Sequence, residues 1–333
     1  MKAKTAVLLV NLGTPDSPGV GDVRSYLSQF LNDPRVIDIP WLLRKILVNL
    51  IIVPFRAPKS AALYKELWTE TGSPLLFYSN RVKELLQREL SEDHTVYLAM
   101  RYKNPSIPDV LEEIKKENYK KITIIPLFPQ YASASTGSAL EEILRKIQSW
   151  WVIPELKIVS QYYDHPAFID AIVARSERFR LADYDHILFS YHGLPIRQVE
   201  KAHPCGACKV ECEILTEENQ YCYKATCYAT TRLIAERLGI SKDQYTVCFQ
   251  SRLDKEWLTP FSDEVVKECA GKGMKKILVF SPAFTADCLE TIIEIGEEYQ
   301  EIFKENGGDK VQLVPSLNDH PRWVDCLKEL VLS

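Results

Sequence analysis

The strongest constraint on this chain is a recurring unit: a short run of Val, Ile, Leu and Phe, released into a Gly/Pro/Asn loop and followed by a longer amphipathic stretch. The runs lie at residues 6–12, 96–100, 122–128, 187–189, 245–249 and 277–280. Apolar runs this short, without polar alternation, read as parallel strands covered on both faces. Between them, residues 82–90, 109–116, 140–147, 229–238 and 289–303 carry helical spacing. Strand and helix in alternation build βαβ units, so the fold class is α/β.

The loops after the runs fall into two parallel sets. The first half gives NLGTPDSP, MRYKNP and LFPQYASASTGSAL; the second gives SYHGLP, FQSRL and SPAFTADCLETIIE. This predicts two similar Rossmann-like domains, each a parallel sheet flanked by helices, with an active-site cleft between them. A length of 333 residues suits two cores rather than one. The turns at Pro154 and Asp164-His165-Pro166 put the boundary between residues 1–160 and 161–320. Residues 321–333 are helical in pattern and are expected to pack back on the first domain.

Composition narrows the function classes. A formal charge of -4 gives no electrostatic case for nucleic acid. The first residues match no export signal, which predicts a cytoplasmic protein. In that compartment nine cysteines, an odd number, point to reduced thiols or metal ligands rather than a disulfide framework. No G-x-G-x-x-G follows the first run and no G-x-x-x-x-G-K-[ST] occurs, so nucleotide phosphates lack their usual cradle.

Three features carry chemistry. His192, in Ser190-Tyr191-His192-Gly193-Leu194-Pro195, stands at a predicted strand end, where open α/β sheets place ligands. Glu290 and Glu294 stand four residues apart on a helical stretch and share one face. Hard carboxylate oxygens suit a divalent ion in transit, with Asp287 a further candidate on that path. Five of the nine cysteines crowd into the segment 203–227, spaced C-x2-C-x3-C-x9-C-x4-C from Cys205 to Cys227. Thiolates so close in a reducing compartment hold zinc or an iron–sulfur cluster.

Seven motifs in order resemble one family. NLGTPDSP at 11–18, GSPL at 72–75, MRY at 100–102, LFPQYA at 127–132 with STGS at 135–138, SYHGLP at 190–195, FQSRL at 249–253 and the stretch from 281 are similar to those of ferrochelatases. The resemblance implies insertion of Fe(II) into a porphyrin, protoporphyrin IX being expected, to form haem with release of two protons. It makes His192 the active-site histidine, as proton acceptor or as metal ligand, and Glu290 its partner. It assigns Leu12, Tyr64, Ser73, Arg101, Tyr102, Tyr131, Gln250 and Ser251 to the porphyrin, Arg101 through a propionate. Cys288 departs from the family, which commonly has histidine there.

By the same resemblance, the cysteine segment is similar to that of bacterial members that carry a [2Fe–2S] cluster. Cys205, Cys208, Cys212 and Cys222 are the implied ligands, Cys227 the alternative, and zinc the alternative metal. Residues 40–55 are very apolar but broken by Arg44, Lys45, Asn49 and Pro54, too short to span a bilayer. They resemble the lip that related enzymes press on a membrane, implying peripheral contact. Two other readings stand beside this one: a cobalt chelatase of the same fold, and a non-catalytic haem or iron–sulfur sensor.

Overall fold

Each of the six apolar runs becomes a buried parallel strand in the computed structural model, which describes residues 4–203 and 212–333. Contacts divide the chain into two compact units. The first comprises Met1–Phe128, Ala132–Gln161 and Leu327–Ser333, the second Pro129–Tyr131 and Tyr162–Cys326. The last helix, Pro321–Leu332, therefore begins in the second unit and ends in the first.

The first unit holds β1 (Thr5–Gly13), β2 (His94–Tyr102), β3 (Lys121–Pro126) and β4 (Glu155–Ile158) in the order β2-β1-β3-β4. The second holds β5 (His186–His192), β6 (Tyr245–Gln250), β7 (Lys276–Phe280) and β8 (Lys310–Leu313) in the order β6-β5-β7-β8. All pairings are parallel. In both sheets the first strand lies between the second and the third, so the chain leaves it in opposite directions and opens a crevice at the carboxyl ends. The edge strands β4 and β8 were not expected from the sequence. Each is four residues long and only partly covered, so neither shows a continuous apolar run.

The helix Ile107–Lys116 shows how local sequence makes these layers. Ser106 caps it by accepting from the Asp109 amide, and Pro108 occupies its first turn, where no donor is missed. Ile107, Val110, Leu111 and Ile114 then fall on one face and are buried with Ala6, Leu8 and Val10 of β1. Each large side chain so buried contributes about 1.5–3 kcal/mol. In the second unit, Leu188 and Cys248 join Ile277, Ile295 and Phe303 in a comparable cluster.

Two helical stretches differ from expectation. The apolar run at 40–55 belongs to one continuous 27-residue helix, Trp41–Leu67, whose middle is a π-turn at Leu47–Ile52. It continues because Ala57, Ala61 and Ala62 favour helix after the run ends. By length and composition this helix passes for a membrane span. Val48, Val53, Ala57 and Ala61 are buried against the helix Val20–Leu31, while Trp41, Leu42, Leu43, Leu50, Ile51 and Phe55 are exposed. Arg44, expected to break the run, is buried and donates to the carbonyls of Ile37 and Ile39. The stretch 289–303 opens as a π-helix, Glu290–Glu298, before the α-helix Tyr299–Glu305.

Candidate active site

The second unit builds its site from strand ends. His192 ends β5, half-buried, and its Nδ1 lies 2.6 Å from the Gly193 carbonyl oxygen. A carbonyl only accepts, so Nδ1 carries a proton, and in the neutral ring Nε2 is the nitrogen with the lone pair. The rings of Trp257 and Phe284 stand 6.4 Å away on either count, giving the imidazole apolar neighbours. Gly193 is required here, because an added Cβ would sit 2.8 Å from the Gln250 carbonyl oxygen and 3.2 Å from the Trp257 ring.

His192 is paired in register with Gln250 at the end of β6, and Gln250 leads to the acidic helix. Its amide donates to the Glu290 carbonyl at 3.0 Å and to the Glu294 carboxylate at 3.1 Å. Glu294 also accepts from the Ser251 amide (2.8 Å), the Ser251 hydroxyl (2.5 Å) and the Tyr299 phenol (3.1 Å). Ser251 does this from a left-handed backbone, φ 62°, a conformation non-glycine residues rarely adopt. Burial, and next the negative charge of Glu294, push the Tyr299 phenol far above its ordinary pKa, so it remains a donor. Gln250 and Ser251, assigned to the porphyrin from sequence, are thus engaged with Glu294.

Glu290 and Glu294 remain close in angle on the π-helix, as a pair four residues apart would be on an α-helix. Wide π-turns recur at functional sites. Cys288 is buried beside Glu290, and burial foremost, then the Glu290 charge, hold its thiol well above the usual pKa. A neutral thiol therefore stands where the sequence resemblance implied an imidazole. Asp287 is tied into its own loop: its carboxylate accepts from Asn318 at 2.7 Å, the Ser316 amide at 3.0 Å and Thr291 at 3.2 Å. Such a satisfied carboxylate serves the scaffold better than a metal path.

In the first unit the residues expected at the porphyrin separate into two kinds. Leu12 and Tyr64 are partly buried at the edge of a cluster that includes Tyr26 and Tyr102. Ser73 is buried with its hydroxyl unpartnered among the described residues. Tyr102 is only 1% exposed and donates to Asp33 at 2.9 Å, which makes it core rather than a face for a macrocycle. Arg101 gives Nη2 to Asp33 at 2.7 Å and Nε to Ser138, so its guanidinium is partly committed inside the protein. The Ser138 hydroxyl also donates to Asp33, 2.5 Å away. Asp33, which the sequence did not single out, is the hub of this arrangement. Tyr131 belongs to the second unit, where its ring meets Tyr221 edge-on at 5.7 Å.

In the cysteine segment, Cys205 and Cys208 lie outside the described residues. Cys212 and Cys222 are buried, and together with His203 their donor atoms all lie within 4.8 Å of one another. The two described thiols therefore fit a thiophilic metal group. Cys227 does not belong to this set: it is fully buried against Tyr223, and burial pushes its thiol well above the ordinary pKa.

Known proteins match the chain along nearly its whole length. Residues 4–333 fit the sequence profile of the ferrochelatase family. A ferrochelatase of Legionella pneumophila (strain Lens) is 44% identical over 329 residues, 98% of each chain. One of Coxiella burnetii is 42% identical over 332 residues, covering 98% of this chain and 93% of that protein. Among solved structures, SirB from Bacillus subtilis with Fe3+ aligns with a TM-score of 0.57 at 14% identity over 99% of this chain and 94% of that one, a likeness of fold. With a profile match from end to end and relatives above 40% identity, the chain belongs to the ferrochelatase family.

Proposed function

We propose that His192 is the proton acceptor when this chain, a ferrochelatase by family, inserts ferrous iron into a porphyrin to give haem. The porphyrin loses two pyrrole protons as four nitrogens bind the metal, so the site must take up protons and deliver Fe(II). The observation that carries the reading is the Nδ1 contact to the Gly193 carbonyl. It leaves Nε2 basic and aimed by a fixed ring. Glu290, the less tethered of the acidic pair, receives ferrous iron or protons, while Glu294 stands behind it in its net of four donors. Asp287 holds the loop that precedes them.

Protoporphyrin IX is the porphyrin we assign, and the exposed apolar face of Trp41–Leu67 supports delivery of so lipophilic a molecule from a membrane surface. We read the protein as cytoplasmic and peripherally membrane-associated. Leu12, Tyr64, Ser73 and Tyr131 are the proposed porphyrin contacts, with Arg101 reaching a propionate through whichever of its donors Asp33 and Ser138 leave over. A [2Fe–2S] cluster on Cys205, Cys208, Cys212 and Cys222 is the proposed resident group, with zinc as the alternative metal. Either would neutralise neighbouring thiolates and order the segment.

His192→Ala tests the reading. Metal insertion, followed by porphyrin absorbance with protoporphyrin IX and coproporphyrin side by side, should fall by about a thousandfold while circular dichroism stays that of the parent. Activity within about tenfold of the parent would overturn the role of His192, and faster turnover of coproporphyrin would overturn the substrate.

A further inference from the structure

The cysteine segment contains one donor that the four-cysteine arrangement leaves idle. His203 ends a turn after the helix Ile196–Glu200, held by its amide donating to the Glu200 carbonyl at 3.0 Å. The residue is 9% exposed, and Nε2 lies 3.9 Å from the Cys212 sulfur. Cys222 completes the group from the N-cap position of the 16-residue helix Tyr223–Leu238. The chain between the two cysteines is organised by Asn219, whose side chain accepts from the Thr216 amide and donates to the Ile214 carbonyl. The donors are thus brought together by three separate turns of chain.

We propose that His203 is a ligand of the metal in this segment, so that the centre is a mixed one with imidazole nitrogen beside the thiolates of Cys212 and Cys222. The proposal rests on the reading that the segment holds a metal, and it puts His203 in the place of one of the four cysteines that reading names. Distances support it. Around one tetrahedral ion with bonds of about 2.0–2.3 Å, neighbouring donor atoms stand about 3.5–3.8 Å apart. The three here lie within 4.8 Å of one another, and the His203–Cys212 pair is at 3.9 Å. A thiol–imidazole hydrogen bond would account for the His203–Cys212 contact alone, whereas a shared ion accounts for all three donors converging. Nitrogen and sulfur donors of this kind select a borderline-soft ion, zinc or cluster iron, over magnesium or calcium. Cys227, five residues beyond Cys222 and hydrogen-bonded to Tyr223, remains a buried thiol outside the centre.

The full-length protein, purified without oxygen and also after reconstitution with ferrous iron and sulfide or with zinc, gives the test. Metal and acid-labile sulfide are counted, and X-ray absorption at the metal edge reports whether an imidazole is bound. We expect metal with one imidazole in its shell, about one zinc or about two irons with sulfide per chain, which separates the two metals. His203→Ala should lower metal content by about tenfold or more. His203→Cys should keep the metal but with sulfur donors only, and it carries the test if the alanine variant fails to fold. Cys227→Ala should change neither content nor shell. Metal in an all-sulfur shell, unchanged by His203→Ala, would overturn the role of His203 while leaving the metal centre standing. Metal-free protein under every loading condition would overturn the centre itself, and this proposal with it.

Discussion

At the scale of residues, the chemistry of the second unit is set by what holds Glu294. Four donors on one carboxylate fix its position, and two of them come from Ser251 in its left-handed backbone. Ser251→Gly keeps that backbone at no strain and removes the hydroxymethyl group, and with it the hydroxyl donor. A hydrogen bond to a charged group is worth about 1.5–3 kcal/mol. Turnover should therefore fall by about tenfold with KM for the porphyrin little changed, and Ser251→Thr, which restores a hydroxyl, should recover part of it. Lost stability with unchanged turnover would make Glu294 a scaffold group. This network was only half legible in the sequence. Gln250, Ser251 and Glu294 were each singled out, but their partnership was not, since Ser251 and Glu294 are 43 residues apart and a left-handed serine leaves no sequence signal. Asp33 escaped for the same reason: an isolated Asp between helix and loop looks like any surface carboxylate until Arg101, Tyr102 and Ser138 converge on it.

At the scale of elements, periodicity found what was continuous and missed what was partly covered. The six fully apolar runs became strands, while β4 and β8 hid in mixed sequence. The helices Val20–Leu31, Pro166–Ser176 and Ser262–Gly271 also passed unnoticed, although each has buried residues at helical spacing. Helical spacing cannot distinguish an α-helix from a π-helix over two turns, so the widened Glu290–Glu298 was read simply as helix. The outward face of Trp41–Leu67 leads to a prediction of its own. Leu50, Ile51 and Phe55 are 69%, 53% and 74% exposed, so changing all three to Ser should leave urea unfolding within about 0.5 kcal/mol per site. Cosedimentation with phosphatidylethanolamine–phosphatidylglycerol vesicles should drop by at least about tenfold, because each large apolar side chain is worth about 1.5–3 kcal/mol when buried. Parent protein that stays in the supernatant would sink the membrane reading.

At the scale of the molecule, the α/β class and the parallel sheets were legible because buried strands and amphipathic helices alternate strictly along the chain. The contact that holds the end of the last helix was not, because it comes from one lysine distant in sequence. Lys157, just inside β4, donates from Nζ to the carbonyls of Leu330 (2.8 Å) and Ser333 (2.7 Å) at the end of the last helix. It satisfies carbonyls that a helix end leaves unpaired. Lys157→Met should lower the unfolding free energy by about 1–2 kcal/mol, read as a shifted urea midpoint with unchanged slope; an unmoved midpoint would show that water replaces the lysine without cost. The shared strand order extends to a shared turn. The chain at the end of β1 reads Leu12-Gly13-Thr14-Pro15, and the chain at the end of β5 reads His192-Gly193-Leu194-Pro195. At both places the glycine is enforced by the carbonyl of the last residue of the neighbouring strand, Tyr102 in one sheet and Gln250 in the other. Such a match is one backbone device used at two strand ends, and it leaves the position before the glycine free to differ. The first unit holds a leucine there and the second a histidine, so only the second can handle a proton or a metal at that point.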